Sequence, residues 1–298
     1  MPKKKITTTT KKKIKTTAKT TARKKKKAGI SRRDILVGAA SVVLVMAIVV
    51  ISYSVGYRRG ATALPSTAVP VAAKKGPSIA LVLDDFGYTK KNLNAFAEVG
   101  VPMTLAVLPN LSHSKEVCSF AKKNGMEVIL HLPMAPEKNT GSLEKDTVSD
   151  ELDRKDVKRV MANAFRSVPG ATGASNHMGS KATKDVRVMN WVIADIKERN
   201  LYFLDSLTTG ESVCRQVALG KDVPYAVRDV FLDNELDSAH IEAQMKKLVR
   251  IAKKNGYAVG IGHDRAVTAK VLADIVPGIE KKGVRFVTLS ELIRESKR

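Results

Sequence analysis

From Ile79 to the C-terminus, short apolar segments alternate with amphipathic ones, and this alternation is what most restricts the fold. The apolar runs Ile79–Leu83, Met103–Val107, Glu127–Leu130, Ala171–Ser175, Leu201–Leu204, Tyr225–Val227, Tyr257–Ile261 and Val284–Val287 read as strands. Between them, Lys91–Val99, Lys115–Asn124, Asp153–Ser167, Asp185–Arg199, Glu211–Leu219, Ser238–Asn255 and Ala266–Ile275 read as helices. Gly100, Gly125, Gly220 and Gly256 stand where helix-terminating glycines belong. Near-continuous apolar strands in strict alternation with helices imply a parallel sheet covered by helices. No GxGxxG or GxxxxGK[ST] loop is present, so neither a dinucleotide nor a P-loop site is indicated.

A polar or ionisable residue stands just after nearly every one of these strands. In order they are Asp84-Asp85, Asn110, His131, Asn176-His177, Asp205-Ser206, Arg228-Asp229 and His263. Strand ends that converge on one mouth are where a βα barrel carries its chemistry, whereas a doubly wound sheet gathers only those near its switch point. The expected fold is therefore a distorted (β/α) barrel of seven to eight strands over residues 78–298. Two carboxylates directly after Ile79-Ala-Leu-Val-Leu83 are unusual for a solvent-facing turn, and a turn at Gly87 is expected to bring both to the mouth. His131, His177 and His263 each end a strand beside small or turn residues, although any one alone could be a satisfied core histidine. His113 and His240 fall at or within helices and read as structural. One Asp and two His form the mixed oxygen–nitrogen donor set of a hydrolytic Zn²⁺ site.

The rest of the chain is of a different kind. Lys and Arg number 52 against 29 Asp and Glu, a net charge of +23. Fifteen of the basic residues and one acid lie in the Lys/Thr-rich tract 1–34, whereas residues 76–298 hold 33 basic and 28 acidic groups, a net of only +5. The charge thus argues against a specific nucleic-acid-binding domain and for a disordered tail able to touch anionic lipid. Ile35–Tyr57 is 23 residues without a charge, long enough to span a bilayer. The basic flank before it predicts a cytoplasmic N-terminus, a single-pass inner- or plasma-membrane protein and a periplasmic or extracytoplasmic main domain. A cleaved signal is the alternative, since Ala61-Thr-Ala63 has the form of a cleavage site and Arg32-Arg33 that of a twin-arginine signal. Residues 58–77 read as an Ala/Pro-rich linker. Cys118 and Cys214 do not form a CxxC pair and read as packing residues.

The segments Leu83-Asp-Asp-Phe-Gly87, His131-Leu-Pro-Met134, Asn176-His-Met-Gly-Ser180, Phe203-Leu-Asp-Ser206, Arg228-Asp-Val-Phe-Leu-Asp233 and Gly262-His263 resemble, in this order, the divergent polysaccharide deacetylases. These are relatives of the chitooligosaccharide and peptidoglycan deacetylases of carbohydrate esterase family 4. The resemblance implies metal-dependent de-N-acetylation of an envelope polysaccharide containing N-acetylhexosamine. It assigns Asp84 as catalytic base, Asp85 and His131 as metal ligands and His263 as the acid that protonates the leaving amine. The family's His-x-x-x-His segment is not kept, because Ala135 stands four residues after His131, and His177 is read as the substitute ligand. The Arg-Pro-Pro-x-Gly loop is likewise absent, with Asn176–Ser180 in its place. Arg228 is read as replacing its arginine, Asp205 as orienting His263 or as a further site carboxylate, and a backbone N–H near Asn110 as an oxyanion donor. Asn110, Asn176, Ser206 and Asp229 are expected to bind substrate, and Trp191 to pack a helix on the barrel. Three other readings remain: an inactive carbohydrate-binding protein on the same fold, a metal-dependent hydrolase of another acyl bond, and a membrane-tethered polyanion-binding protein that works through its Lys/Thr tail.

Overall fold

The computed structural model of the protein describes residues 76–296 apart from 139, 140 and 142. Its strands are β1 (Ser78–Phe86), β2 (Thr104–Val107), β3 (Glu127–Met134), β4 (Gly173–Met178), β5 (Tyr202–Asp205), β6 (Tyr225–Val227), β7 (Val230–Phe231), β8 (Tyr257–His263) and β9 (Arg285–Val287). The helices are α1 (Leu93–Ala97), α2 (Ser114–Lys123), α3 (Arg154–Ser167), α4 (Val186–Glu198), α5 (Cys214–Gly220), α6 (Ser238–Asn255), α7 (Ala266–Glu280) and α8 (Leu289–Ser296). Helix starts are set locally. The Asp153, Asp185 and Asp237 carboxylates accept the free N–H groups of the first turns of α3, α4 and α6. Gly256 ends α6 at φ 88°, a conformation that spares it the Cβ clash of other residues.

All pairings between the strands are parallel, in the order β6-β5-β4-β3-β2-β1-β8-β7, with β9 beside the first half of β1. The expected distorted barrel is therefore corrected to an open, curled parallel sheet with flanking helices. The ladder is interrupted between β6 and β7, which are joined only by Arg228 and Asp229. Arg228 N–H donates to the Asp205 carbonyl on one flank, at 3.1 Å, and Asp229 N–H to the Val259 carbonyl on the other, at 2.9 Å. Sequence reading missed β7, which is only two residues long, and α8, although its Leu289, Leu292 and Ile293 recur at helical spacing.

Side chains alternate between the two faces of each strand. Ile79, Leu81 and Leu83 of β1 pack into the large apolar cluster shared with the helices. Ala80 and Val82 join a smaller cluster with Ala106, Ile129, Leu204, Ala226, Val259 and Ile261, covered by Leu289, Leu292 and Ile293 of α8. That second cluster fills the concave side, and its rows continue upward into the polar residues Asp84, His131 and His263.

Among the described residues no helix is long and apolar enough to cross a membrane. The membrane-spanning helix, single-pass localisation and lipid contact expected from the sequence thus have no support in the structure. The tail 1–34, the span 35–57 and residues 58–75 of the linker lie outside the described residues.

Asp229, expected to bind substrate, instead works at the sheet gap, where its Oδ2 accepts the Val259 N–H at 2.8 Å. Asp229→Ala is expected to cost about 1–3 kcal/mol in denaturant-induced unfolding, from an orphaned strand N–H, with Asp229→Asn close to wild type.

Candidate metal centre

Asp84 and Asp85 reach the mouth through a break in β1. Leu83 pairs with Leu105 and Phe86 with Val107, so three steps on β1 face two on β2. At this bulge Asp85 takes φ 67°, which turns its side chain out of strict alternation. The bulge does the work expected of a turn at Gly87. His131 and His177 come together by register. His131 of β3 pairs with Ser175 of β4, and His177 pairs with Pro133, so the two histidines are diagonal neighbours on one face. Their ring centroids are 5.0 Å apart.

The three expected ligand atoms form a compact triangle. Asp85 Oδ1 lies 3.3 Å from His131 Nε2 and 3.0 Å from His177 Nδ1, and the two ring nitrogens are 3.2 Å apart. A cation held tetrahedrally at about 2.0–2.1 Å separates its ligands by about 3.3 Å, so the triangle is of the right size. Among the described residues Asp85 Oδ1, though buried, has no properly directed hydrogen-bond partner. A buried carboxylate oxygen without a directed donor, converging with two imidazole nitrogens, fits a cation. These three are the only such group of His, Cys, Asp or Glu among the described residues, and with Zn²⁺ as the fitting ion they make a divalent-metal site. His131 Nδ1 hydrogen-bonds with Ser175 Oγ at 2.8 Å, which directs Nε2 to the site.

The charges follow from this packing. For Asp85, burial raises the pKa, but the adjacent His131 and His177 imidazoles outweigh it and hold the carboxyl well below its usual range. Burial lowers His131 to about 4. For His177, burial pulls downward, but Asp85 and Glu144 raise its pKa overall. Asp84, only 2% exposed, is raised well above its usual value by burial, then by Asp85 and Asp233, with Arg228 opposing. Its Oδ2 is 3.5 Å from His131 Nε2, and among the described residues Oδ1 has no hydrogen-bond partner.

Opposite the triangle, His263 pairs in register with Asp84. Its partner is Asp233, a fully buried residue not among those chosen from the sequence. Asp233 Oδ1 lies 2.7 Å from His263 Nδ1, and Oδ2 accepts from the His263 N–H and from Thr268 Oγ1. Phe231 stacks on the His263 ring, and Arg228 lies 3.8 Å from the centroid of Phe231. The guanidinium also donates to the Ser206 and Leu207 carbonyls.

Other expected site residues lie elsewhere. Asp205 accepts from Leu207 N–H, Ser212 Oγ and Tyr225 O–H, away from His263. Asn176 and Ser206 clamp β4 to β5, with Asn176 Oδ1 accepting the Ser206 N–H and Ser206 Oγ donating to the Asn176 carbonyl. The Asn110 N–H is engaged by Ser167 Oγ at 3.0 Å and is not free for an oxyanion. Trp191 packs partly buried against the large apolar cluster, as expected.

The family model for divergent polysaccharide deacetylases matches residues 81–293. The chain belongs to this family. It is 36% identical over 233 residues to the uncharacterized protein YibQ of Escherichia coli (strain K12), covering 78% of this chain and 72% of that one. It is also 32% identical over 194 residues to an uncharacterized protein of Haemophilus influenzae, covering 65% and 69% of the two chains. Among solved structures, the uncharacterized protein ATU2773 of Agrobacterium tumefaciens C58 shares the fold, with a TM-score of 0.70 at 23% identity, over 75% of this chain and 92% of that one.

Two measurements check the site. Ser175→Ala is expected to weaken Zn²⁺ binding about 10- to 100-fold in a chelator competition. In the metal-free protein Asp85 and Glu144 make His177 hold a proton more tightly than a free imidazole, and a cation must displace it, whereas His131 is already neutral above about pH 4. Zn²⁺ affinity should therefore rise as pH approaches the raised His177 pKa, with proton release on binding. Calorimetry in buffers of different ionisation enthalpy reads that proton directly.

Proposed function

We propose that the protein is a metal-dependent hydrolase that removes N-acetyl groups from a polysaccharide containing N-acetylhexosamine. The observation that carries this reading is the Asp85–His131–His177 triangle set between two further proton-handling groups, Asp84 and the His263–Asp233 pair. When bound by Asp85, His131 and His177, a divalent cation polarises a carbonyl and acidifies water.

Asp84 is the base. Burial and the neighbouring carboxylates make it more basic than an exposed aspartate, which suits it to take a proton from the attacking water. Its Oδ1, without a hydrogen-bond partner among the described residues, provides the acceptor. Arg228, half-buried and electrostatically coupled to Asp84, limits the charge built up there. His263 is the acid. Asp233 holds Nδ1 and fixes the tautomer and ring plane, and stacking on Phe231 restrains the ring further. Nε2 is left to pass a proton to the nitrogen of the breaking amide. Water adds to the acetyl carbonyl, the C–N bond breaks, and acetate and a free amine are the products.

Acetate release from N-acetylglucosamine oligomers by the zinc-loaded protein tests the reading. Asp84→Asn and Asp233→Asn should each lower kcat about 10²- to 10⁴-fold while leaving Zn²⁺ affinity within a few-fold. Sugar binding without any acetate release from wild type would instead establish a binding protein on this fold.

A further inference from the structure

The two ligand histidines are held differently at the nitrogen turned away from the cation site. His131 has Ser175 at the nitrogen turned away from the cation site. The corresponding atom of His177 is Nε2, which is buried and, among the described residues, has no hydrogen-bond partner. The charged group that faces it is Glu144, whose Oε1 lies 3.4 Å away. That is an ion-pair separation, longer than a formed hydrogen bond, so the carboxylate acts on the ring by charge and orientation.

Glu144 comes from the long β3–α3 connection, yet its side chain is only 11% exposed. Three contacts hold it inward. Tyr88 O–H, three residues beyond Asp85, donates to the same Oε1 at 2.6 Å. Thr147 Oγ1 donates to the Glu144 carbonyl at 2.6 Å. A bridge between Met134 and Val148 ties the returning connection to the end of β3. The Tyr88 ring is itself 51% exposed at the mouth, so its hydroxyl is drawn to Glu144 while its face remains open.

We propose that Glu144 is a positioning residue of the metal centre: it holds the Nε2 side of His177 so that Nδ1 is presented beside Asp85 and His131, and Tyr88 locks Glu144 in that place. The proposal rests on the metal-dependent reading above. It supplies His177 with what Ser175 supplies to His131. It also explains why a ligand outside any His-x-x-x-His segment keeps a defined ring orientation. The contrary case is that the Tyr88–Glu144 contact only tethers a surface connection.

The test uses the full-length protein and Zn²⁺ affinity by chelator competition, a readout that does not require turnover. Glu144→Gln is expected to weaken Zn²⁺ about 10- to 100-fold, and Tyr88→Phe by a smaller factor. Glu137→Gln, on the same connection as Glu144, removes a contact to Lys184 beyond β4 and should leave affinity within twofold. Nitrogen NMR shifts of His177 in the zinc-loaded protein should show Nε2 protonated in wild type and a mixed ring state in Glu144→Gln. Unchanged affinity in Glu144→Gln overturns the proposal, as does equal weakening in Glu137→Gln, which would mark a mere loop effect. Wild type that binds Zn²⁺ but releases no acetate defeats the deacetylase reading alone. Wild type that binds no Zn²⁺ overturns both.

Discussion

Strand β1 carries Ala80, Val82 and Asp84 on the concave face, and simple alternation would send Asp85 back among the helices. The bulge after Leu83 prevents this. Its cost is a non-glycine residue at φ 67°, about 1–3 kcal/mol for such backbone strain. The surrounding contacts hold it in place. Leu108 N–H donates to the Phe86 carbonyl at 2.8 Å and His113 N–H to that of Gly87 at 3.1 Å. Phe86 and Phe96 meet edge to face at 5.7 Å in the core. Without that one irregularity the sheet would still form, but a single carboxylate would face the two imidazoles.

The same bulge gives two adjacent aspartates opposite character. Asp85 sits against two imidazoles and stays ionised, as a ligand must. Asp84, one residue earlier and fully enclosed, is pushed the other way by burial and by its neighbours. Separating the protonation behaviour of paired carboxylates is how a site obtains both a fixed charge and a proton acceptor. A second separation occurs across β8. His263 is anchored at Nδ1 by Asp233, while His131 and His177 face the cation site, so three histidines divide between ligation and proton transfer.

The alternating strands and helices and the family motifs were legible in the sequence because each depends on local pattern, and the ligand roles of Asp85 and His131 came with the family resemblance, with His177 as the substitute for the missing second histidine. What was not legible was which strand-end residues share a face. Asp205 pairs in register with Val227 on β6 and lies on the helix side with Phe203. Leu204, one residue earlier, belongs to the concave cluster. Asn176 is one residue out of step with Ser175 and His177. Counting by two from the core would have excluded Asp205 and Asn176. It would not have recovered Asp85, whose placement needs the bulge, nor Glu144, whose sequence neighbourhood is an ordinary polar connection. Asp233 stood in the sequence within Phe231-Leu-Asp233, but its partner was visible only once β7 was seen beside β8.

The backbone at the end of β3 is a poor host for a second ligand at position 135. Strand β3 runs extended through Met134, so residues four apart along it are about 13 Å apart, too far to share one ion. Two histidines in a His-x-x-x-His segment can meet on a metal only where the chain leaves the strand conformation. Here β3 is extended through Met134, and the Ala135 N–H just past its end is committed to the Val148 carbonyl. The second imidazole must therefore come from the adjacent strand, where a diagonal neighbour is close enough, and His177 occupies that position. The price of this arrangement is that His177 no longer shares a rigid segment with His131, so its ring orientation depends on groups from elsewhere in the chain.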